Sequence, residues 1–123
     1  MSYAYKEYYL NDAMQNLGEM TEYAHDACGV DPDRAMRYFV ISGYADRFEK
    51  GDPCVVSGMS GTELFMNSAE KCGVGEDDWP SAIIKYSTDE YYWIGYILAL
   101  FQWHGDRSFG SILDVVNAAD LLR

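Results

Sequence analysis

Apolar and polar positions follow a helical period along most of the chain, and the clearest case runs from Glu7 to Ala27. Small or apolar side chains recur there at spacings of three and four residues, as one buried helix face requires: Leu10, Met14, Leu17, Thr21, Ala24 and Cys28. Glu19, Glu22 and Asp26 fall largely outside this face. Gly29 follows the pattern and suits the left-handed conformation in which many helices end.

A second helix is predicted from Asp33 to Lys50, after the capping pair Asp31-Pro32. Its apolar side comprises Met36, Phe39, Val40, Gly43, Tyr44 and Phe48. A glycine inside a helix costs about 1 kcal/mol relative to alanine, so we expect a close helix crossing at Gly43 to compensate. Gly51-Asp52-Pro53 ends the helix, and the short apolar run Cys54-Val55-Val56 is predicted to be an extended connector.

Two capping boxes predict further helix starts. Ser60-Gly61-Thr62-Glu63 opens a helix that ends at Gly73, and Ser87-Thr88-Asp89-Glu90 opens another. The latter, from about Thr88 to His104, is apolar around most of its circumference, which is typical of a buried central helix. A last helix starts at Ser108 and carries Phe109, Ile112, Leu113, Val116 and Leu121. The pattern predicts an all-α fold, a single domain over residues 1–123 with about five helices around the Thr88–His104 helix.

Charge changes this picture. Twenty acidic residues stand against nine basic ones, a net charge of −11, while 15% of the residues are aromatic and eleven are tyrosines. A disordered acidic tail would be poor in aromatic residues, so the composition indicates a folded core inside an acidic shell. Such a shell repels nucleic acid and anionic lipid and attracts basic protein surfaces. We therefore expect a basic protein partner, without direct nucleic-acid or membrane binding.

Other features of the composition favour a cytoplasmic protein. No run of 18 or more apolar residues is present, and the N-terminus lacks the apolar region of a signal peptide. The three cysteines cannot all pair with one another, and free buried thiols are the rule in a reducing compartment.

The segment up to Asp33 is the most asymmetric part of the chain, with seven acidic residues against Lys6 alone and five tyrosines. Tyrosine is favoured in protein interfaces because one ring offers contact area and a polar tip at low entropic cost. We predict that this segment carries the partner-binding side chains, namely Glu7, Asp12, Glu19, Glu22, Asp26, Tyr8, Tyr9 and Tyr23. The alternative interpretation is a solvated helix face with partly buried tyrosines.

Candidate chemistry is sparse. His25 and Cys28 are three residues apart and could join Cys72 or Cys54 in a zinc site, but the paired short spacings of structural zinc sites are missing. Cys54 or Cys72 could act with His104 as a nucleophile pair, yet no motif supplies an orienting group. We therefore predict no catalytic residue, no metal ligand and no cofactor.

Several segments resemble a family of small acidic bacterial proteins found in toxin–antitoxin-like or mobile-element gene clusters, some with an ADP-ribosyltransferase-like protein. They are 16–20, 38–45, 58–64, 92–99 with Gln102-Trp103, and Ser108-Phe109 with Ile112. The resemblance implies a bacterial or phage accessory protein and supplies no catalytic residues. Members of the family tend to continue past the position of Arg123, which implies a C-terminal extension beyond this chain.

Three functional hypotheses follow. The first is a non-enzymatic acidic protein that binds and neutralises a protein partner, as an antitoxin or immunity-like inhibitor does. The second is a nucleic-acid mimic that inhibits a nucleic-acid-binding effector, such as an anti-CRISPR protein, and it requires carboxylates spaced like phosphates on one face. The third is a small metal- or thiol-dependent enzyme that uses His25, Cys28, Cys54 or His104. The small size and the tyrosine-rich first helix leave a homodimer open.

Overall fold

The computed structural model describes residues 6–74, 90–105 and 107–115, and this part of the chain contains seven α-helices and no strand. The helices are α1 (Leu10–Asp26), α2 (Pro32–Ser42), α3 (Tyr44–Glu49), α4 (Pro53–Val56), α5 (Gly61–Lys71), α6 (Glu90–Gly105) and α7 (Phe109–Val115). A 3₁₀ turn at Glu7–Tyr9 precedes α1. The predicted all-α bundle is confirmed. None of the described helices is long and apolar enough to cross a membrane.

The helix in the middle of the bundle is α1, which contacts α2, α4, α5 and α6. Its buried residues surround most of its circumference: Ala13, Leu17, Gly18, Met20, Thr21, Glu22, Tyr23 and Ala24. The prediction that the most apolar helix, α6, lies at the centre of the bundle therefore needs correction. Helix α6 buries one face on α1, but Trp93 and Phe101 on its other side are exposed.

Helices α1 and α6 cross at backbone contact, and glycine makes this possible. A Cβ atom on Gly95 would collide with the carbonyl group of Leu17 and the hydroxyl of Thr21, and one on Gly18 would lie 2.8 Å from the carbonyl oxygen of Tyr92. The two helices therefore approach each other more closely than side chains at these positions would allow.

The hydroxyl group of Thr21 joins the two helices at this crossing. Its Oγ1 atom lies 2.6 Å from the carbonyl oxygen of Tyr91, to which it donates, and accepts from the backbone N–H of Gly95 at 3.2 Å. Tyr91 and Gly95 are four residues apart, so these are the groups that an α-helical hydrogen bond would otherwise join. One buried side chain of α1 thus fixes the register of α6.

The single helix predicted from Asp33 to Lys50 is interrupted at Gly43. This residue has φ of +91°, a left-handed conformation that glycine adopts without strain. The hydroxyl of Ser42 bridges the break, since it donates to the carbonyl of Phe39 at 2.8 Å and accepts from the N–H of Tyr44 at 3.2 Å. The expected close crossing is wrong, because a Cβ atom on Gly43 would have no neighbour within 4 Å among the described residues.

The predicted extended connector at Cys54-Val55-Val56 is also wrong, because these residues belong to the short helix α4. Asp52 caps this helix by accepting from the N–H of Cys54 at 3.0 Å, and Pro53 occupies the first turn, where its missing N–H costs nothing. Val55 and Val56 are completely buried, so the turn serves to bring two apolar side chains into the core.

Three fully buried phenylalanines connect α2, α3 and α7. Phe39, Phe48 and Phe109 contact one another edge to face, with ring centroids 5.4 to 5.7 Å apart. The predicted start of the last helix at Ser108 agrees with the structure, in which the Ser108 hydroxyl accepts from the N–H of Ser111 at 3.1 Å. Two predictions fall outside the described residues. They are the capping box at 87–90, of which only Glu90 is described, and the apolar positions Val116 and Leu121 of the last helix.

Substitution of Gly95 by alanine tests the close helix crossing. The added methyl group has no space against Leu17 and Thr21, so α6 must move away from α1. We expect the free energy of unfolding to fall by about 2 kcal/mol or more, measured by denaturant titration. Gly105→Ala is the matched control in the same helix, because among the described residues its Cβ would meet only the Arg107 side chain, at 3.7 Å. Equal effects of the two substitutions would contradict the tight crossing.

Candidate partner-binding surface

Three of the predicted partner-binding residues are exposed near one another at the N-terminal end of α1. Glu7, Tyr8 and Asp12 are exposed, and we call these three residues the N-terminal patch. Asp12 lies in the first turn of α1, where an acidic side chain is favoured by the helix dipole. Lys6 is exposed beside Glu7, so this end of the bundle carries both signs of charge with an acidic excess.

Tyr8 is the most exposed large hydrophobic side chain among the described residues, at 85% of its surface. Its ring stands edge to face against Tyr9, with centroids 5.3 Å apart and an angle of 88°. Tyr9 is half-buried and packs against the core, so it holds the 3₁₀ turn in place while its neighbour points into solvent. This arrangement presents an aromatic ring on an ordered base.

Two residues of the predicted surface are buried, which corrects their assignment. Tyr23 is completely buried and packs edge to face on Phe65 of α5, with centroids 5.9 Å apart. Glu22 is only 2% exposed and faces α6. The pKa of Tyr92 on α6 is raised mainly by burial, then by Tyr96, and then by the carboxylates of Glu22 and Glu19. Neither side chain can meet a partner at the surface of the folded bundle.

Glu19 has a structural role. Its carboxylate accepts from the backbone N–H of Thr62 at 3.1 Å and from the Thr62 hydroxyl at 3.2 Å. These groups belong to the first turn of α5, whose N–H groups have no partner within the helix. The predicted capping box is present there as well, since Ser60 and Glu63 exchange hydrogen bonds of 3.1 and 3.2 Å. A glutamate of α1 thus completes the cap of α5.

Asp26 lies at the opposite end of α1, about 21 Å along the helix axis from Asp12. Its carboxylate is 2.8 Å from the Nδ1 atom of His25, and the His25 ring is stacked on Tyr91 with centroids 3.5 Å apart. Asp26 is exposed but is separated from the N-terminal patch by the length of the helix.

Most other acidic side chains of the described residues support the fold. Asp31 caps α2, Asp52 caps α4 and pairs with Arg47, Glu49 accepts from the N–H of Phe109, and Asp46 pairs with Lys50. Within the described part of the chain, the side chains of Glu7 and Asp12 form no hydrogen bond or ion pair. The N-terminal patch is therefore acidic without serving the fold in these ways.

The three thiols differ in exposure. Burial raises the pKa of Cys28 and of Cys72, which disfavours the reactive thiolate, and the Sγ atom of Cys72 lies 3.6 Å from the carbonyl oxygen of Tyr38. Cys54 is exposed at the start of α4. Across the described residues, no three His, Cys, Asp or Glu side chains come together as a metal site would require.

Comparison of the chain with protein-family models, with curated proteins and with solved structures gives no match. The family resemblance therefore stays a prediction.

The role of Glu19 can be separated from partner binding by substitution. Glu19→Gln keeps an acceptor oxygen but removes the negative charge at the start of α5, so we expect the free energy of unfolding to fall by about 1–2 kcal/mol. Glu70→Gln, an exposed position of α5, is the control and should change stability by less than about 0.5 kcal/mol. A destabilisation no larger than that of the control would contradict the capping role.

Thiol labelling tests the difference between the cysteines. Iodoacetamide reacts with the thiolate, so we expect it to modify Cys54 first at pH 8, with Cys28 and Cys72 reacting more slowly because burial shields them and raises their pKa values. Mass spectrometry of tryptic peptides gives the three rates. Faster labelling of either half-buried thiol would instead indicate an activated cysteine.

Proposed function

We propose that this protein is a non-enzymatic inhibitor that binds and neutralises a basic protein partner, in the manner of an antitoxin or immunity protein. The observation that carries the proposal is the N-terminal patch, in which an 85% exposed tyrosine stands between two acidic residues that form no bond within the described fold. The resemblance to acidic proteins of toxin–antitoxin-like gene clusters supports the same class of partner.

The patch has the physical properties of a binding anchor. An exposed tyrosine offers a large apolar area and one polar tip, and it has few rotatable bonds to lose on binding. Contact with Tyr9 already restrains the Tyr8 ring, which lowers that loss further. Glu7 and Asp12 flank it with negative charge that a lysine- or arginine-rich surface would complement.

The net charge of −11 acts at longer range. A strongly acidic protein attracts a basic partner before contact and so raises the association rate, and salt screens this attraction over about 10 Å at 0.1 M. Binding should therefore be fast and salt-sensitive, whereas dissociation should depend on the patch itself.

The distribution of the acidic residues favours this proposal over nucleic-acid mimicry. A mimic needs carboxylates at phosphate-like spacing on one face, but many of the described acids outside the N-terminal patch start α2, α4 and α5, cap α7 or pair with neighbouring bases. Their positions follow the helix ends and not one continuous row. Competition by duplex DNA for the captured partner would reverse this preference.

Capture of the partner tests the proposal. The immobilised protein is exposed to an extract of its native host at about 0.05 M and about 0.5 M salt, and retained proteins are identified by mass spectrometry. We expect a basic protein to be retained at low salt and released at high salt, and co-expression of the present protein to relieve the toxicity of that partner. Retention of no protein at low salt would remove the main support.

Substitution of the N-terminal patch locates the binding site on that partner complex. The triple variant Glu7→Gln/Tyr8→Ala/Asp12→Asn removes the ring and two charges, and we expect the dissociation constant to rise at least about tenfold, measured by calorimetry.

The matched control removes two acids and one exposed apolar side chain elsewhere, through Glu70→Gln/Ile41→Ala/Asp114→Asn on α5, α2 and α7. It should change the dissociation constant by less than about threefold. Equal weakening by both triple variants would mean that overall charge, and not the patch, holds the partner.

A further inference from the structure

Helix α6 carries an exposed apolar stripe. Trp93, Ile97, Leu100 and Phe101 are 47%, 36%, 37% and 54% exposed. At 100° per residue these four positions fall within one sector about 100° wide, opposite the buried face of Ile94, Gly95, Leu98 and Gln102. They therefore form one continuous strip about 12 Å long on the side of α6 that faces away from α1.

The strip lacks charge along its whole length, which sets it apart from the rest of this acidic chain. No Asp, Glu, Lys or Arg occurs between Tyr91 and Trp103. A contiguous apolar surface of this kind marks an interaction site in a soluble protein, and a partner that covers it buries no charged side chain of the strip. A basic protein surface, which is the kind of partner proposed for the N-terminal patch, does not match this uncharged strip.

Three of the four strip residues lie symmetrically about Ile97, whereas the counterpart of the fourth, Leu100, is the buried Ile94. Trp93 and Phe101 lie four residues to either side of it, and Glu90 and His104 lie seven residues to either side in the same angular sector. An identical helix that runs in the opposite direction would therefore place Trp93 on Phe101 and Ile97 on Ile97. The two helices would be related by a two-fold axis through Ile97, as in the commonest kind of homodimer.

The charges at the two ends of the strip also complement each other only in this orientation. Glu90 lies in the first turn of α6, whereas His104 lies in the last turn and Arg107 follows the helix, and all three are exposed. Antiparallel packing brings Glu90 of one copy towards His104 and Arg107 of the other, an end that also carries Asp106 in the sequence, and sets opposite helix-dipole ends side by side. Parallel packing would instead place Glu90 against Glu90.

We infer that a second copy of this chain covers the α6 strip, and that the protein is an antiparallel homodimer through Trp93, Ile97, Leu100 and Phe101. This interface shares no residue with the N-terminal patch, so the dimer does not depend on the proposed partner. Because each copy carries a charge of −11, screening by salt should strengthen the dimer, whereas it weakens binding of a basic partner.

Sedimentation equilibrium tests the dimer on the full chain. We expect a mass twice the 14.0 kDa of one chain at concentrations of tens of micromolar, at about 0.3 M salt. Ile97→Asp puts two like charges on the two-fold axis and should weaken the dimer at least about 100-fold. Ile41→Asp on α2, at a position that is 72% exposed, is the control and should leave the dimer unchanged. A monomer at every concentration would overturn the inference.

Cysteine cross-linking checks the orientation and does not depend on a destabilising charge. In a Cys54→Ser background, Ile97→Cys should form an intersubunit disulfide under mild oxidation, and Ile41→Cys should not. Trp93→Cys should cross-link to Phe101→Cys when the two variants are mixed, and neither should cross-link to itself. Cross-linking of Trp93→Cys with itself would indicate parallel packing and would overturn the proposed interface.

Discussion

The crossing of α1 and α6 determines the rest of this fold. Gly18 and Gly95 let the two backbones touch, and the Thr21 hydroxyl then binds both the carbonyl of Tyr91 and the N–H of Gly95. Leaving the buried hydroxyl and these backbone groups without hydrogen-bond partners would cost about 1–3 kcal/mol. The arrangement therefore defines one rotation and one register for α6. That rotation decides which side of the apolar helix faces solvent.

Because α1 lies in the middle, its polar side chains become structural. Glu19 completes the cap of α5, and Asn16 donates to the carbonyl of Val56 at 2.6 Å. Burying a polar group is costly unless it is hydrogen-bonded, and the helix ends around α1 supply partners for Glu19 and Asn16. An acidic helix can thus occupy the centre of the bundle, while a far more apolar helix lies at its side.

The same organisation separates two surfaces of opposite character. The N-terminal patch is acidic and aromatic, at the start of α1, and the strip on α6 is apolar and uncharged. The N-terminal patch suits a basic partner at low ionic strength. The strip on α6 suits an apolar surface, and salt does not weaken that contact. The two surfaces share no residue, and they suit partners of different chemistry.

Local chemistry was readable from the sequence alone: the helix starts at Asp31, Ser60 and Ser108 follow from side chains within three residues of the groups they cap. The exposed end of the candidate surface, Glu7, Tyr8 and Asp12, followed from composition. Only the tertiary structure decided that Tyr23 and Glu22 are buried and that Glu19 reaches Thr62, because that contact spans 43 residues and no periodicity records it.

The helical period was likewise evident in the sequence of the Asp33–Lys50 segment. The break at Gly43 was not evident, since glycine is compatible with both a helix interior and a left-handed turn. The uniform apolarity of α6 concealed its orientation for a related reason: with apolar residues on every side, the sequence holds no signal for the buried face. Sequence determined which segments are helical and where they are capped. Backbone contact at glycine and threonine, which depends on two distant segments meeting, decided which side chains are left for a partner.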